Sequence, residues 1–132
     1  MKYASLDNMF RISDVISVHT PHTRQTHEIV NLKLLNKMKK TAFLINTSRG
    51  KIINEKDLVI ALKRKIIAGA GLDVFQKEPI DSKNSITKMN NVILTPHSGS
   101  ATVETRKKMA EIAIKNLVLG LSGRKPIYQV KT

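Results

Sequence analysis

The stretch Ala42-Phe-Leu-Ile-Asn-Thr-Ser-Arg-Gly50 decides how this chain is read. It opens with apolar residues that do not alternate with polar ones, the pattern of a strand buried on both faces. The polar run Asn46-Thr-Ser-Arg-Gly50 is then the loop that leaves it. Asn54 caps a helix with Glu55 and Asp57 in its first turn, against the positive end of the dipole. Leu58, Ala61 and Leu62 form the apolar stripe of that helix. Strand, polar loop and amphipathic helix make up the repeating unit of parallel sheets.

The same unit recurs on both sides. Val15-Ile-Ser-Val-His-Thr20 is a short strand stopped by Pro21, which cannot donate to a central ladder. Asn31 caps a helix whose apolar positions are Leu32, Leu35 and Met38. Ala68-Gly-Ala-Gly-Leu-Asp-Val74 is a third strand, its small residues allowing close backbone approach, and Val92-Ile-Leu-Thr95 a fourth, stopped by Pro96. A long helix from about Thr102 to Leu121 is expected to bury Met109, Ile112, Ala113, Leu117 and Leu121 before Gly120, Gly123 and Pro126 close it. The expected class is α/β, a mostly parallel sheet covered by helices on two sides.

Composition narrows the function classes. The chain has 132 residues, 41% of them hydrophobic, enough for one core. It has no cysteine, which excludes a disulfide scaffold and thiolate metal sites. No apolar run is long enough for a membrane span, and Met1-Lys-Tyr-Ala-Ser5 has no signal-peptide core. A cytoplasmic protein is the expectation. The net charge of +13 invites nucleic acid. Its lysines and arginines, however, are spread over Lys37 to Lys40, Lys63 to Lys65 and Arg106 to Lys108, near helix ends where solvated cations are ordinary. Five aromatic residues supply no stacking platform for single strands. Neither nucleic acid nor membrane is expected as a partner.

Ligands of open parallel sheets bind outside the carboxyl ends of the strands. Here those ends carry Thr20-Pro21, Asn46 to Gly50, Asp73 and Thr95-Pro-His97. Arg49 offers a fixed, always-charged fork that suits the carboxylate and carbonyl of a 2-oxo acid; otherwise it is a surface arginine at a strand end. His97 is either the group that moves a proton near neutral pH or a solvated loop histidine. Glu78, if it met His97, would orient the ring and favour imidazolium; alone it is a solvated glutamate before a proline. Asp73 accepts from a ligand amide or caps its own loop. His19, His22 and His27 have no convincing metal-ligand spacing, and no chemistry is assigned to them. Gly69-Ala-Gly71 resembles the start of a dinucleotide fingerprint, but Val74 occupies the last glycine position and no helix follows.

Three separated segments, Asn46-Thr-Ser-Arg-Gly50, Gly71-Leu-Asp-Val-Phe75 with Glu78-Pro79, and Thr95-Pro-His-Ser-Gly-Ser-Ala-Thr102, resemble the D-isomer-specific 2-hydroxyacid dehydrogenases in order and spacing. The stretch from Leu6-Asp7 through Ser13-Asp14 to Thr20-Pro21 is similar to that family too. The resemblance implies the second half of a dinucleotide-binding, Rossmann-like domain over residues 1–132. It implies that Arg49 binds and polarises the 2-oxo acid, that His97 passes the proton and that Glu78 pairs with His97. Thr20 and Pro21 would lie near the adenosine of NAD or NADP. Thr47, Ser48, Arg49, Asp73, His97, Ser98 and Gly99 would lie towards its nicotinamide. Ser100 to Arg106 and Asn116 to Arg124 look most like the glyoxylate and hydroxypyruvate reductase branch, with a metal implied nowhere.

Family members carry a glycine-rich phosphate loop and a substrate domain that these residues lack. The expectation is therefore a fragment, inactive alone, whose partners are a small 2-oxo or 2-hydroxy acid and either a second copy of itself or a missing companion segment. A truncated sheet would expose an apolar edge. A non-catalytic scaffold with the same fold is the competing reading.

Overall fold

The computed structural model describes residues 3–129. Met1 and Lys2, part of the segment read above for a signal peptide, and residues 130–132 at the end of the expected domain lie outside them. The chain divides after His97 into two compact units.

The first unit is built on four parallel strands in sequential order, β1 (Val15–Val18), β2 (Phe43–Asn46), β3 (Gly69–Leu72) and β4 (Val92–Leu94). The sheet is wholly parallel, a Rossmann-like half-domain. Helices α1 (Leu6–Ile12), α2 (Leu32–Leu35) and α3 (Glu55–Lys63) complete it. Asn31 and Asn54 cap α2 and α3 as their positions predict, Asn31 accepting from the Lys33 and Leu34 amides and Asn54 from Asp57. α2 stops after one turn; Leu35 and Met38 reach the core as expected, Leu32 packs partly buried against it, and Leu34 is buried as well. α1 was not foreseen. Ser5 caps it, Asp7 sits in its first turn and Phe10 is buried. That cap was the available signal.

Within this unit the helices cover one face of the sheet rather than two. Ile16, Val18, Leu44, Ala70 and Leu72 point into a single core with Phe10, Leu35, Leu58, Ala61 and Leu62. Val15, Phe43 and Ile93 on the other face are exposed. The cause is topological. Right-handed crossovers between strands added in sequential order place every connecting helix on the same side. Each fully buried leucine of that core contributes about 1.5–3 kcal/mol. Gly69 in β3 has the close approach its small size suggests, since an added Cβ would lie 2.5 Å from the Asn91 carbonyl oxygen.

The second unit is dominated by α4 (Val103–Leu121), capped by Thr102. None of its side chains is buried; Met109, Leu117 and Leu121, expected in a core, are exposed, and so is Ala113, while Ile112 is half-buried. Here the unit offers little more than the tail after the helix, which Asn116 ties back by accepting from the Ile127 amide at 2.9 Å. Among the described residues no helix is long and apolar enough to cross a membrane.

Candidate active site

Strand register places the candidate residues. Val18, Asn46, Leu72 and Leu94 are aligned across the sheet, so all four strands finish on one row. The loops leaving that row carry Thr20, Arg49, Asp73 to Glu78 and His97.

Asn46 shapes the loop after β2. It is buried, its Nδ2 donates to the Arg49 carbonyl at 3.0 Å, and its Oδ1 accepts from both the Ser48 amide and hydroxyl. The turn points Arg49 outward, with Nη1 donating to the Ser48 carbonyl at 2.6 Å. Among the described residues no carboxylate pairs with Arg49, which leaves its charge for a ligand. This structuring role of Asn46 was not read from the sequence, although a buried asparagine before a loop is a recognisable turn-former. Gly50 follows because nothing larger fits. A Cβ there would stand 2.0 Å from the carbonyl carbon and oxygen of Phe75. Gly50→Ala is expected to cost about 1–3 kcal/mol in chemical denaturation, since backbone on both sides must shift.

Glu78 and His97 meet. His97 Nδ1 donates to Glu78 Oε2 at 2.7 Å, and the Phe75 amide donates to Glu78 Oε1 at 2.9 Å. With Nδ1 committed, Nε2 is the ring nitrogen left for a ligand. The His97 hydrogen bond, and after it the Phe75 amide, holds the Glu78 carboxyl below the usual glutamate range. Its folded value lies below its unfolded one. The resulting stabilisation is present above the unfolded value and is lost as pH falls through the folded one. Both side chains are over a third exposed, so screening limits the pair to about 1 kcal/mol at most. The stability difference between the unaltered protein and Glu78→Gln should shrink as pH falls through and below the ordinary glutamate range in denaturation measured against pH. His97 has φ of 53°, in the left-handed region, where a non-glycine residue costs on the order of 1 kcal/mol. Its amide donates to the Thr95 carbonyl at 3.1 Å, holding that turn.

Arg49, Glu78 and His97 line one open cavity of about 280 Å³, together with His22, Gly50, Lys51, Phe75 and Gln76. The three expected residues thus face a common space of small-molecule size. Asp73 is buried at the end of β3, where its Oδ1 accepts from the Thr95 hydroxyl. Thr47 is exposed and Ser48 is held by Asn46. Thr20 lines a separate, apolar cavity with Leu6, Ile16 and Ile29, and the Pro21 carbonyl accepts from Thr26. Ser98 and Gly99 open the second unit, the Ser98 carbonyl accepting from the Ala101 amide. His22 and His27 are hydrogen-bonded to each other at 3.0 Å.

Residues 1–99 match the family model described as "D-isomer specific 2-hydroxyacid dehydrogenase, NAD binding domain". The chain is 48% identical over 126 residues to a glyoxylate reductase of Thermofilum pendens, covering 96% of this chain and 37% of that relative. It therefore spans well under half the length of the relative it matches. Among solved structures, a Thermus thermophilus protein superposes with a TM-score of 0.94 at 42% identity, over 97% of this chain and 41% of that one. The NADPH-dependent glyoxylate/hydroxypyruvate reductase of Sinorhizobium meliloti, in complex with NADP and malonate, superposes with a TM-score of 0.89 at 36% identity, over 96% of this chain and 39% of that one.

Proposed function

This chain belongs to the D-isomer-specific 2-hydroxyacid dehydrogenases, in their NAD-binding domain, and from that premise we propose that it carries the catalytic part of a reductase acting on a small 2-oxo acid such as glyoxylate or hydroxypyruvate. The observation that carries the reading is the shared cavity of Arg49, Glu78 and His97, with the imidazole bonded to the carboxylate at 2.7 Å.

Arg49 binds the substrate carboxylate and polarises the adjacent carbonyl, two tasks that a planar, permanently charged fork performs together. His97, oriented through Nδ1, delivers the Nε2 proton to the carbonyl oxygen as that oxygen becomes an alkoxide. Glu78 keeps the ring in that orientation and offsets the charge of the imidazolium that donates. In the oxidation direction the same imidazole takes the proton back from the 2-hydroxyl.

NAD or NADP, when bound, supplies or takes up the hydride. The strand ends fit such a group: Asp73 is an acceptor at the end of a central strand, and Thr20 borders an apolar cavity of about 130 Å³. Asp73 would receive the carboxamide, with Thr47, Ser48, Arg49, His97, Ser98 and Gly99 on the nicotinamide side and Thr20 and Pro21 on the adenosine side. These 132 residues are proposed as the later half of that domain, Rossmann-like but without the glycine-rich phosphate loop, so turnover is expected of the whole protein rather than of this stretch alone. The test is consumption of NADH or NADPH by the whole protein on addition of glyoxylate or hydroxypyruvate. Turnover of neither substrate with either cofactor would overturn the reading.

A further inference from the structure

The cavity contains a polar group that the reaction above does not use. Gln76 lines it beside Arg49 and His97. Both hydrogens of its amide nitrogen are committed, to Glu28 Oε1 at 2.9 Å and to the Ile53 carbonyl at 3.0 Å. Two acceptors on one side dictate which end of the amide is nitrogen. The carbonyl oxygen, Oε1, is then the end left to accept from a ligand.

Glu28 is built to hold that orientation. Its backbone lies in the left-handed region, φ 49°, a conformation costly for a side chain of this size. The amide of Glu28 donates to the Lys51 carbonyl at 2.9 Å. Its second carboxylate oxygen accepts from Asn54 Nδ2 at 2.9 Å. One residue therefore ties the loop after β1 to the cap of α3 and to the loop that carries Glu78. An amide braced in this way cannot rotate to present its nitrogen without breaking two hydrogen bonds.

We infer that Gln76, held by Glu28, determines substrate preference: its carbonyl oxygen accepts a hydrogen bond from a hydroxyl on the carbon next to the keto group. The preferred substrate class is then the 3-hydroxy-2-oxo acids. The inference rests on the reading of the cavity as a 2-oxo acid site. An acceptor at this position gains nothing from pyruvate, which differs from hydroxypyruvate by that hydroxyl alone.

The experiment is the ratio of kcat/KM for hydroxypyruvate to that for pyruvate, measured in the whole protein and in two variants. Gln76→Met keeps the length of the side chain and removes the amide; the ratio should fall about fivefold to tenfold, the effect of one neutral hydrogen bond. Glu28→Gln offers one acceptor oxygen where two are needed, weakens the hold on the Gln76 amide to its bond with the Ile53 carbonyl, and should move the ratio in the same direction by about twofold to fivefold. A merely structural brace would lower both kcat/KM values together and leave the ratio unchanged, which overturns the inference alone. If the unaltered protein reduces no 2-oxo acid, the reading and the inference fall together.

Discussion

Replacing Arg49 by glutamine is expected to lower kcat/KM for glyoxylate by about a thousandfold or more in the whole protein. Glutamine reaches the same region and keeps one donor, but it loses the charge and the paired geometry that hold a carboxylate and its neighbouring carbonyl at once. Arg49→Lys should recover little, because an ammonium retains the charge without the fork. The fold should not suffer. Arg49 is exposed, and its guanidinium donates to the carbonyl of its neighbour Ser48. Thermal midpoints of the variants should match that of the unaltered protein. A loss of activity below about tenfold would remove Arg49 from the site.

The second large effect is expected at His97. Asparagine there retains a hydrogen-bonding group but cannot pass a proton, and kcat for reduction should drop by about a hundredfold to ten-thousandfold. The split between binding and turnover separates this from a structural defect: kcat should fall while KM for glyoxylate stays within about threefold, since Arg49 still holds the carboxylate. A variant that keeps kcat within about tenfold of the unaltered protein would show that another group supplies the proton.

Much of the candidate site is legible in the sequence, because its parts are tied to strand ends and strands announce themselves locally. Pro21 and Pro96 mark where two strands stop, Asn31 and Asn54 mark where two helices begin, and the register then places the loops on one row. The pairing of Glu78 with His97 was expected from family resemblance, and their 2.7 Å contact follows from neighbouring strands β3 and β4. What stayed hidden depends on distant contacts. Gln76 and Glu28 are 48 residues apart, and no periodicity joins them. The need for glycine at position 50 comes from the Phe75 carbonyl pressed against it. That the first unit's helices cover a single face of the sheet also escaped notice: apolar residues on both sides of a strand report a tendency to be buried, whereas strand order decides where the helices go. The stripe on α4 misled for the same reason.

The most direct test is a crystal structure of the whole protein with NAD or NADP and oxamate, an unreactive analogue of a 2-oxo acid. The oxamate carboxylate is expected on the Arg49 guanidinium and its carbonyl oxygen within hydrogen-bond reach of His97 Nε2, with Glu78 still on Nδ1. Oxamate bound away from both Arg49 and His97 would remove these residues from the site.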